Sequence, residues 1–164
     1  MKISVLYFSA SGNTQKAAEF IKEGLLSVSD TEVKLMNIAS AEEIDNDFIN
    51  GSGAVIFGTP TYAANMCWQM KQFFDTYKGC KLAGKIGAAF ATENYVYGGG
   101  DIALLGIMNH LLVKGMLGYS SGVGCGQPII HLGPVAVSDT LDEKKELFVI
   151  FGKRIADKAK ELFA

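Results

Sequence analysis

Apolar positions along the chain switch repeatedly between two periods. Residues 3–8 form a short run rich in β-formers that stops at a Ser/Gly/Asn/Thr cluster. From Thr14 the spacing changes: Ala17, Ala18, Ile21, Leu25 and Val28 recur every three or four residues, as on one helix face. Val33 to Ile38 reads as a second strand. Gly53 to Gly58 reads as a third, a continuous run such as a strand covered on both faces needs. Met66, Met70, Phe73, Phe74 and Tyr77 form the next helical stripe, and Lys85 to Ala91 a fourth strand. Ile102, Leu105, Met108, Leu112 and Met116 make a further stripe, expected to stop at Gly118. A short, weakly marked fifth strand is expected within Leu117 to Val123. Phe148, Phe151, Ile155, Ala159 and Leu162 then define a C-terminal helix, with Ser138 or Asp139 near its N-cap.

Strands that alternate with helical stripes imply βαβ units, hence a parallel sheet with helices on both faces. The expected fold class is α/β, three layers about a five-stranded parallel sheet in the order 2-1-3-4-5, with residues 1–164 as one domain. In such sheets ligands sit beyond the carboxyl ends of the strands, at the point where strand order reverses. Function is therefore expected in the loops after Phe8, after Gly58 and after Ala91. The one irregular stretch, Gly124 to Ser138 with Pro128 and Pro134, is long enough to suggest a functional loop.

Composition removes several alternatives. At 49% hydrophobic and 20% charged, the chain can bury a core and does not read as disordered. A net charge of −2 offers no basic footprint for nucleic acid and no polybasic membrane patch. No apolar run approaches the roughly 20 residues of a membrane span, and the N-terminal run is too short for a signal peptide. The expectation is a cytoplasmic protein without membrane insertion. Cys67, Cys80 and Cys125 form no C-x-x-C, and with two histidines they argue against a disulfide scaffold or a structural zinc.

The first loop reads Ser9, Ala10, Ser11, Gly12, Asn13, Thr14 and leads from a strand into a helix. The helix's free N–H groups and positive dipole end favour an anion there. Four small polar side chains and a glycine exceed what an N-cap needs, so the loop reads as a phosphate site without an ion pair. A P-loop lysine, the three glycines of a dinucleotide fingerprint and the acids of a receiver domain are all missing. The second loop, Thr59, Pro60, Thr61, Tyr62, Ala63, Ala64, Asn65, is uncharged and suits the edge of a planar heteroaromatic ligand. The third, Thr92, Glu93, Asn94, Tyr95, Val96, Tyr97, Gly98, Gly99, Gly100, puts two tyrosines ahead of a glycine run, and Asp101 could cap the following helix. His110, His131 and Cys125 are read as incidental, Cys67 as core; no catalytic residue and no metal site is assigned.

Together these residues resemble a known family. Residues 9–14 look like the S/T-x-S/T-G-N-T phosphate loop of flavodoxins and flavodoxin-like reductases. Residues 58–62, the helix from Asn65 to Tyr77, and Tyr97-Gly98-Gly99 resemble WrbA-type NAD(P)H:quinone reductases and related FMN reductases, over nearly the whole chain. The resemblance implies FMN, its phosphate held by Ser9, Ala10, Ser11, Gly12, Asn13 and Thr14. It implies that Pro60, Thr61, Tyr62 and Ala63 lie beside the isoalloxazine, with Thr92, Glu93, Asn94, Tyr95, Tyr97, Gly98 and Gly99 over the ring and its pyrimidine edge. Three departures from the WrbA pattern stand out: Tyr97 where histidine is usual, Val113 likewise, and no tryptophan-bearing insert between Lys78 and Lys85.

The leading functional expectation is an FMN oxidoreductase that takes hydride from NAD(P)H and passes it to a quinone-like small acceptor. A net charge of −2 does not look like an acidic electron carrier. Ala63, Ala64, the glycine run and the loop Gly124 to Ser138 suggest an open flavin face with a movable rim. The WrbA resemblance further implies a homo-oligomer in which that loop completes a neighbour's pocket. The alternatives are a one-electron carrier cycling FMN between protein partners, and a binding or regulatory domain with the fold but no flavin.

Overall fold

The computed structural model describes residues 1–163. Seven strands and five α-helices follow one another as β1 (Lys2–Tyr7), α1 (Asn13–Leu26), β2 (Glu32–Asn37), α2 (Asn46–Asn50), β3 (Ser52–Tyr62), β4 (Asn65–Met66), α3 (Trp68–Thr76), β5 (Ile86–Glu93), α4 (Gly100–Val113), β6 (Leu117–Gly118), β7 (Val135–Val137) and α5 (Lys145–Phe163). The main path of the sheet is β2-β1-β3-β5-β6, with every neighbouring pair parallel. The five expected strands thus lie in the expected spatial sequence, and the labels move on by one because β4 intervenes. Beyond those five, β4 turns back antiparallel on β3, and β7 runs parallel to the last residues of β5.

The pleat sends alternate residues to opposite faces, and each face carries its own core. Ile3, Val5, Ala54, Ile56, Ala88 and Phe90 pack with α1 and α5 through Ile21, Leu25, Phe148, Phe151 and Ile155. Leu6, Val55, Phe57, Ala89 and Ala91 pack with α2, α3 and α4 through Ile49, Met70, Phe74, Ile107 and Leu111. Burial on both faces explains why the central strands read as unbroken apolar runs. The two helices of the first face touch backbone to backbone: a Cβ at Gly24 would lie 1.9 Å from the Val149 carbonyl oxygen, and one at Gly152 2.2 Å from that of Ile21.

Several boundaries differ from expectation, each for a local reason. The fifth strand shrinks to Leu117–Gly118, paired with Ile86 and Gly87, while β7 takes the upper half of the same edge beside Ala91, Thr92 and Glu93. The chain between them leaves the sheet and returns. Helix α4 ends at Val113, since Gly115 takes a left-handed φ of +73°; Met116 falls outside the helix yet stays buried. Neither Ser138 nor Asp139 caps α5, because two 3₁₀ turns, Ser138–Thr140 and Asp142–Lys144, come first. The short α2 went unexpected, although Asp45 marks its start by accepting a hydrogen bond from the Phe48 N–H at 2.9 Å. Among the described residues no helix is long and apolar enough to cross a membrane.

Candidate functional site

The carboxyl ends of β1, β3 and β5 deliver the three expected loops to one end of the sheet. The loops are joined directly. Thr14 Oγ1 and Thr92 Oγ1 lie 2.8 Å apart and tie the first loop to the third. The Phe8 N–H donates to the Gly58 carbonyl at 3.1 Å, fixing where the first and second diverge. A Cβ on Gly99 would lie 2.6 Å from Cα and Cβ of Ala64, so the tip of the second loop rests against the third.

In the first loop Ser9 Oγ accepts from the N–H groups of Gly12 (3.1 Å) and Gln15 (3.2 Å). That leaves the other N–H groups of the first turn of α1 for a ligand, since no earlier turn exists to satisfy them. Gly12 stands at the N-cap with φ +91°, and a Cβ there would meet nothing within 4 Å. The first turn carries no acid. Lys16, the nearest cation in sequence, is engaged elsewhere, its Nζ 2.6 Å from Asp142. Ala10, Ser11 and Gly12 are exposed, Ser9 and Asn13 half-buried. The Asn13 amide donates to Ser11 Oγ at 3.4 Å. Thr14 is buried and its hydroxyl is committed to Thr92, so it acts between the loops.

The second segment is not the loop that was expected. Strand β3 continues through Pro60 to Tyr62, with Thr59 opposite Ala91 and Pro60 opposite Thr92. A proline inside a strand lacks a ladder donor, and the geometry here makes that harmless. Gly58 faces β1, and so, two residues on, does Pro60; but β1 has already ended. Ala63 and Ala64 then form a two-residue hairpin turn with φ of +48° and +57°. Type I′ geometry of this kind normally selects Asn-Gly, which is why the alanine pair gave no turn signal. Tyr62, Ala63 and Ala64 are exposed, Thr61 and Pro60 half-buried. Beneath them Thr59 Oγ1 accepts from the Cys67 N–H at 3.0 Å and donates to the Pro60 carbonyl at 2.8 Å. Burial pushes the Cys67 thiol up, only partly offset by its hydrogen bond with Thr59, so this cysteine is an inert core group.

The third loop displays Tyr95 and Tyr97, the latter 99% exposed with φ +65°. A closed turn, Gly98 N–H to the Tyr95 carbonyl at 2.9 Å, supports them. Asp101 does not cap α4. Glu93 does so from the preceding strand, accepting from the Gly100 N–H at 2.9 Å, which spends the carboxylate on the protein rather than on a ligand. Asn94 is exposed, and its Oδ1 and the Glu93 carbonyl accept from Ser138 Oγ. Sequence reasoning missed Ser138 as the link between the third loop and the chain after β7.

The long segment is also pinned. Arg154 on α5 donates to the carbonyls of Cys125, Gly126, Gln127 and Pro128 at 2.8–3.2 Å, and to Ser121 Oγ at 3.4 Å. The expected movable rim is therefore a loop held from below. Cys125 is exposed beside Tyr119, whose phenol is pushed up to about 12 by burial and by that cysteine contact. His110 stacks on Phe74 at 4.7 Å; burial, with Lys71 and Lys114 nearby, holds its pKa below the usual imidazole value. His131 is exposed. Among the described residues no three His, Cys, Asp or Glu side chains gather as metal ligands.

A family model described as "Flavodoxin domain" matches residues 4–94. The chain is 48% identical to a "Flavodoxin" of Clostridium saccharobutylicum over 99% of its own length and 100% of the relative's. It is 32% identical to a "Flavodoxin" of Aquifex aeolicus (strain VF5), covering 95% and 85%. An "NAD(P)H dehydrogenase (quinone)" of Geotalea daltonii is 33% identical but covers 71% of this chain and 69% of its own. Solved structures do not separate the two kinds. A flavodoxin from the domain Archaea superposes with TM-score 0.77 at 27% identity, covering 98% and 99%. A flavodoxin, WrbA-like protein from Agrobacterium tumefaciens superposes with 0.79 at 25%, covering 98% of each. The expectation of an NAD(P)H:quinone oxidoreductase is thereby overturned. End-to-end likeness at 48% points to flavodoxin, the quinone-reductase likeness is partial, and the flavodoxin relatives do not support NAD(P)H as co-substrate.

Proposed function

The chain belongs to the flavodoxin domain family, and on that premise we propose that it binds FMN across its three joined loops and carries electrons between protein partners. The family implies FMN, and the observation that carries the fit is the first loop. A helix N-terminus without acids opens behind a left-handed glycine whose missing side chain leaves space. Ser11, Asn13 and the free first-turn N–H groups would hold the phosphate, while Ser9 fixes the loop from inside. Tyr62 and Tyr97, both exposed, would bound the ring system, and Ala63 and Gly99 let the second and third loops close on it. When bound, FMN supplies the exchange of one electron at a time.

The polar side chains beneath the site are largely committed within the protein. Glu93 is spent on the α4 N-terminus, Thr59 on Cys67 and Pro60, and Thr14 on Thr92. An electron carrier fits such a site, because its work is to position and shield.

The deciding experiment mixes the FMN-loaded protein anaerobically with NADH or NADPH. No flavin bleaching over minutes at about millimolar nucleotide, a level above ordinary KM values, is expected, while a one-electron donor reduces it in two resolved steps. Bleaching that saturates with nucleotide would overturn the carrier reading. Failure of the chain to take up FMN at all would overturn the site.

A further inference from the structure

The segment between α3 and β5, residues 77–85, carries Lys78, Lys81 and Lys85, and no acid occurs from Thr76 to Thr92. It is neither helix nor strand, yet it is fastened along its length. The Tyr77 hydroxyl donates to Asn46 Oδ1 and the Lys81 N–H to Asn50 Oδ1, both at 2.8 Å, so the two ends of α2 hold it from one side. The Gly84 N–H donates to the Gly115 carbonyl at 2.8 Å, which ties it to the chain after α4. Leu82, in its middle, is buried. A segment held in this way presents a preformed surface, and a ligand need not pay to order it.

The segment walls a cavity of about 520 Å³ against α3 and the end of α4, within the roughly 300–1,000 Å³ of small-molecule sites. Phe73 and Tyr77, stacked with ring centroids 4.8 Å apart, give the cavity an aromatic side. Its charged lining is Lys78, Lys81 and Lys114, with no carboxylate. Asp75, close enough to Lys114 to feel its charge, is paired with Lys71 at 2.5 Å. Among the described residues none of the three lysines makes an ion pair. Two of them have a structural use: Lys78 Nζ donates to the Asp75 carbonyl at 3.3 Å near the end of α3, and Lys114 is the C-cap of α4. Helix ends draw lysines for that reason alone, but here the charges do not cancel. Two helix C-termini amount to roughly one negative charge against three ammonium groups, and Lys81 caps neither helix. Burial pushes the Cys80 thiol up even with Lys114 and Lys85 near it, so this lining residue adds no negative charge. Roughly two positive charges stay uncompensated beside an aromatic wall.

We propose that this cavity binds a small dianion carried on a planar ring, the chemistry of an aromatic or heteroaromatic phosphate monoester. The doubly charged head matches the surplus of the three lysines, and the ring covers the side formed by Phe73 and Tyr77. The segment enters β5 at Ile86, whereas the third loop leaves it after Glu93. The two sites therefore sit at opposite ends of one strand, and the inference is independent of flavin binding.

The test follows backbone amide shifts by NMR in the full chain, loaded with one equivalent of FMN so that the phosphate site of the first loop is filled. Adenosine 5′-monophosphate, inorganic phosphate and adenosine are each titrated to about 10 mM. Saturable shifts from the monophosphate are expected within residues 77–83 and at Lys114, with an affinity at least tenfold above that of inorganic phosphate. Adenosine should give no saturable shift. Lys81→Gln and Lys114→Gln should each weaken the monophosphate at least threefold and together at least tenfold, with FMN uptake unchanged. Lys2→Gln, in a separate cavity, should leave it within twofold. No saturable shift at these residues would overturn the proposal. So would binding indifferent to the double variant, adenosine binding as well as its monophosphate, or inorganic phosphate matching it. The shifts of residues 77–83 read this site whether or not the chain takes up FMN, so failure of the flavin site is seen separately.

Discussion

At the scale of single residues, Gly12 separates two costs that usually come together. Its φ of +91° strains any L-residue, yet a Cβ there would touch nothing. Gly12→Ala therefore measures backbone strain alone, about 1–2 kcal/mol of stability, with little loss of FMN affinity. Gly12→Asp adds a carboxylate against the phosphate, and affinity should fall at least tenfold further. Titration of FMN fluorescence against both variants checks this; equal affinities would remove the phosphate from the first loop. His110 gives a second residue-scale expectation. Burial and two lysines hold its pKa below the ordinary value in the folded chain. The unfolded chain takes up the proton first as pH falls through about 6.5, so stability declines from there until the folded-state pKa is passed, and then levels. His110→Phe keeps the stack on Phe74 and removes the titration. Its unfolding temperature should vary less than wild type's between pH 7 and 5, and parallel profiles would refute the assignment.

Among elements, legibility followed period. Residues 14–26 and 148–162 carried an unambiguous 3.6-residue stripe, and β1, β3 and β5 an apolar run, because their packing partners demand it on every turn. What could not be read depended on contacts remote in sequence. Pro60 stays in a strand only because β1 stops short of it. The Ala63-Ala64 turn has no turn residues, and Gly99, 35 positions later, is the surface it packs on. Two substitutions test that packing. Ala64→Gly relieves a positive φ and should raise stability by about 1 kcal/mol. Gly99→Ala, at φ +94° and against Ala64, should lower it by more than that and loosen the third loop. Thermal unfolding of the pair reads both, and a destabilised Ala64→Gly would contradict the turn assignment. The segment after β6 was likewise illegible, since the only arginine of the chain, far along α5, organises it. Arg154→Lys offers a point charge in place of a planar fork. Limited proteolysis should then cut within residues 121–128 of the variant and spare the wild type; equal resistance would dismiss the clamp.

For the whole molecule, the sequence led correctly to the fold, but its reading as an NAD(P)H:quinone oxidoreductase is overturned by the flavodoxin relatives, and the misstep lay in one number. A net charge of −2 is a sum over the surface, whereas an encounter is steered by the field at one end of it. Glu42 and Glu43 follow β2, and Asp139, Asp142 and Glu143 follow β7, all on chain leaving the carboxyl end of the sheet beside the loops. Lys2 and Lys85 stand at the opposite end, around Met1 and Gly51. The near-zero total leaves room for a local field at the site end, where Asp139 and Glu143 stand with Lys144 and with the paired Lys16 and Asp142; a net acidic field there would steer a basic redox partner. Electron transfer from such a partner should therefore slow as salt rises, most steeply below about 0.15 M, where the Debye length exceeds about 8 Å. Reversing Asp139 and Glu143 to lysine should cut the second-order rate roughly tenfold at low salt and much less at high salt. Reversing Lys2 to glutamate, at the far end, should leave it near wild type. Stopped-flow transfer at several ionic strengths makes the comparison. A rate indifferent to salt, or equally sensitive at both ends, would mean that the partner is not steered to these loops.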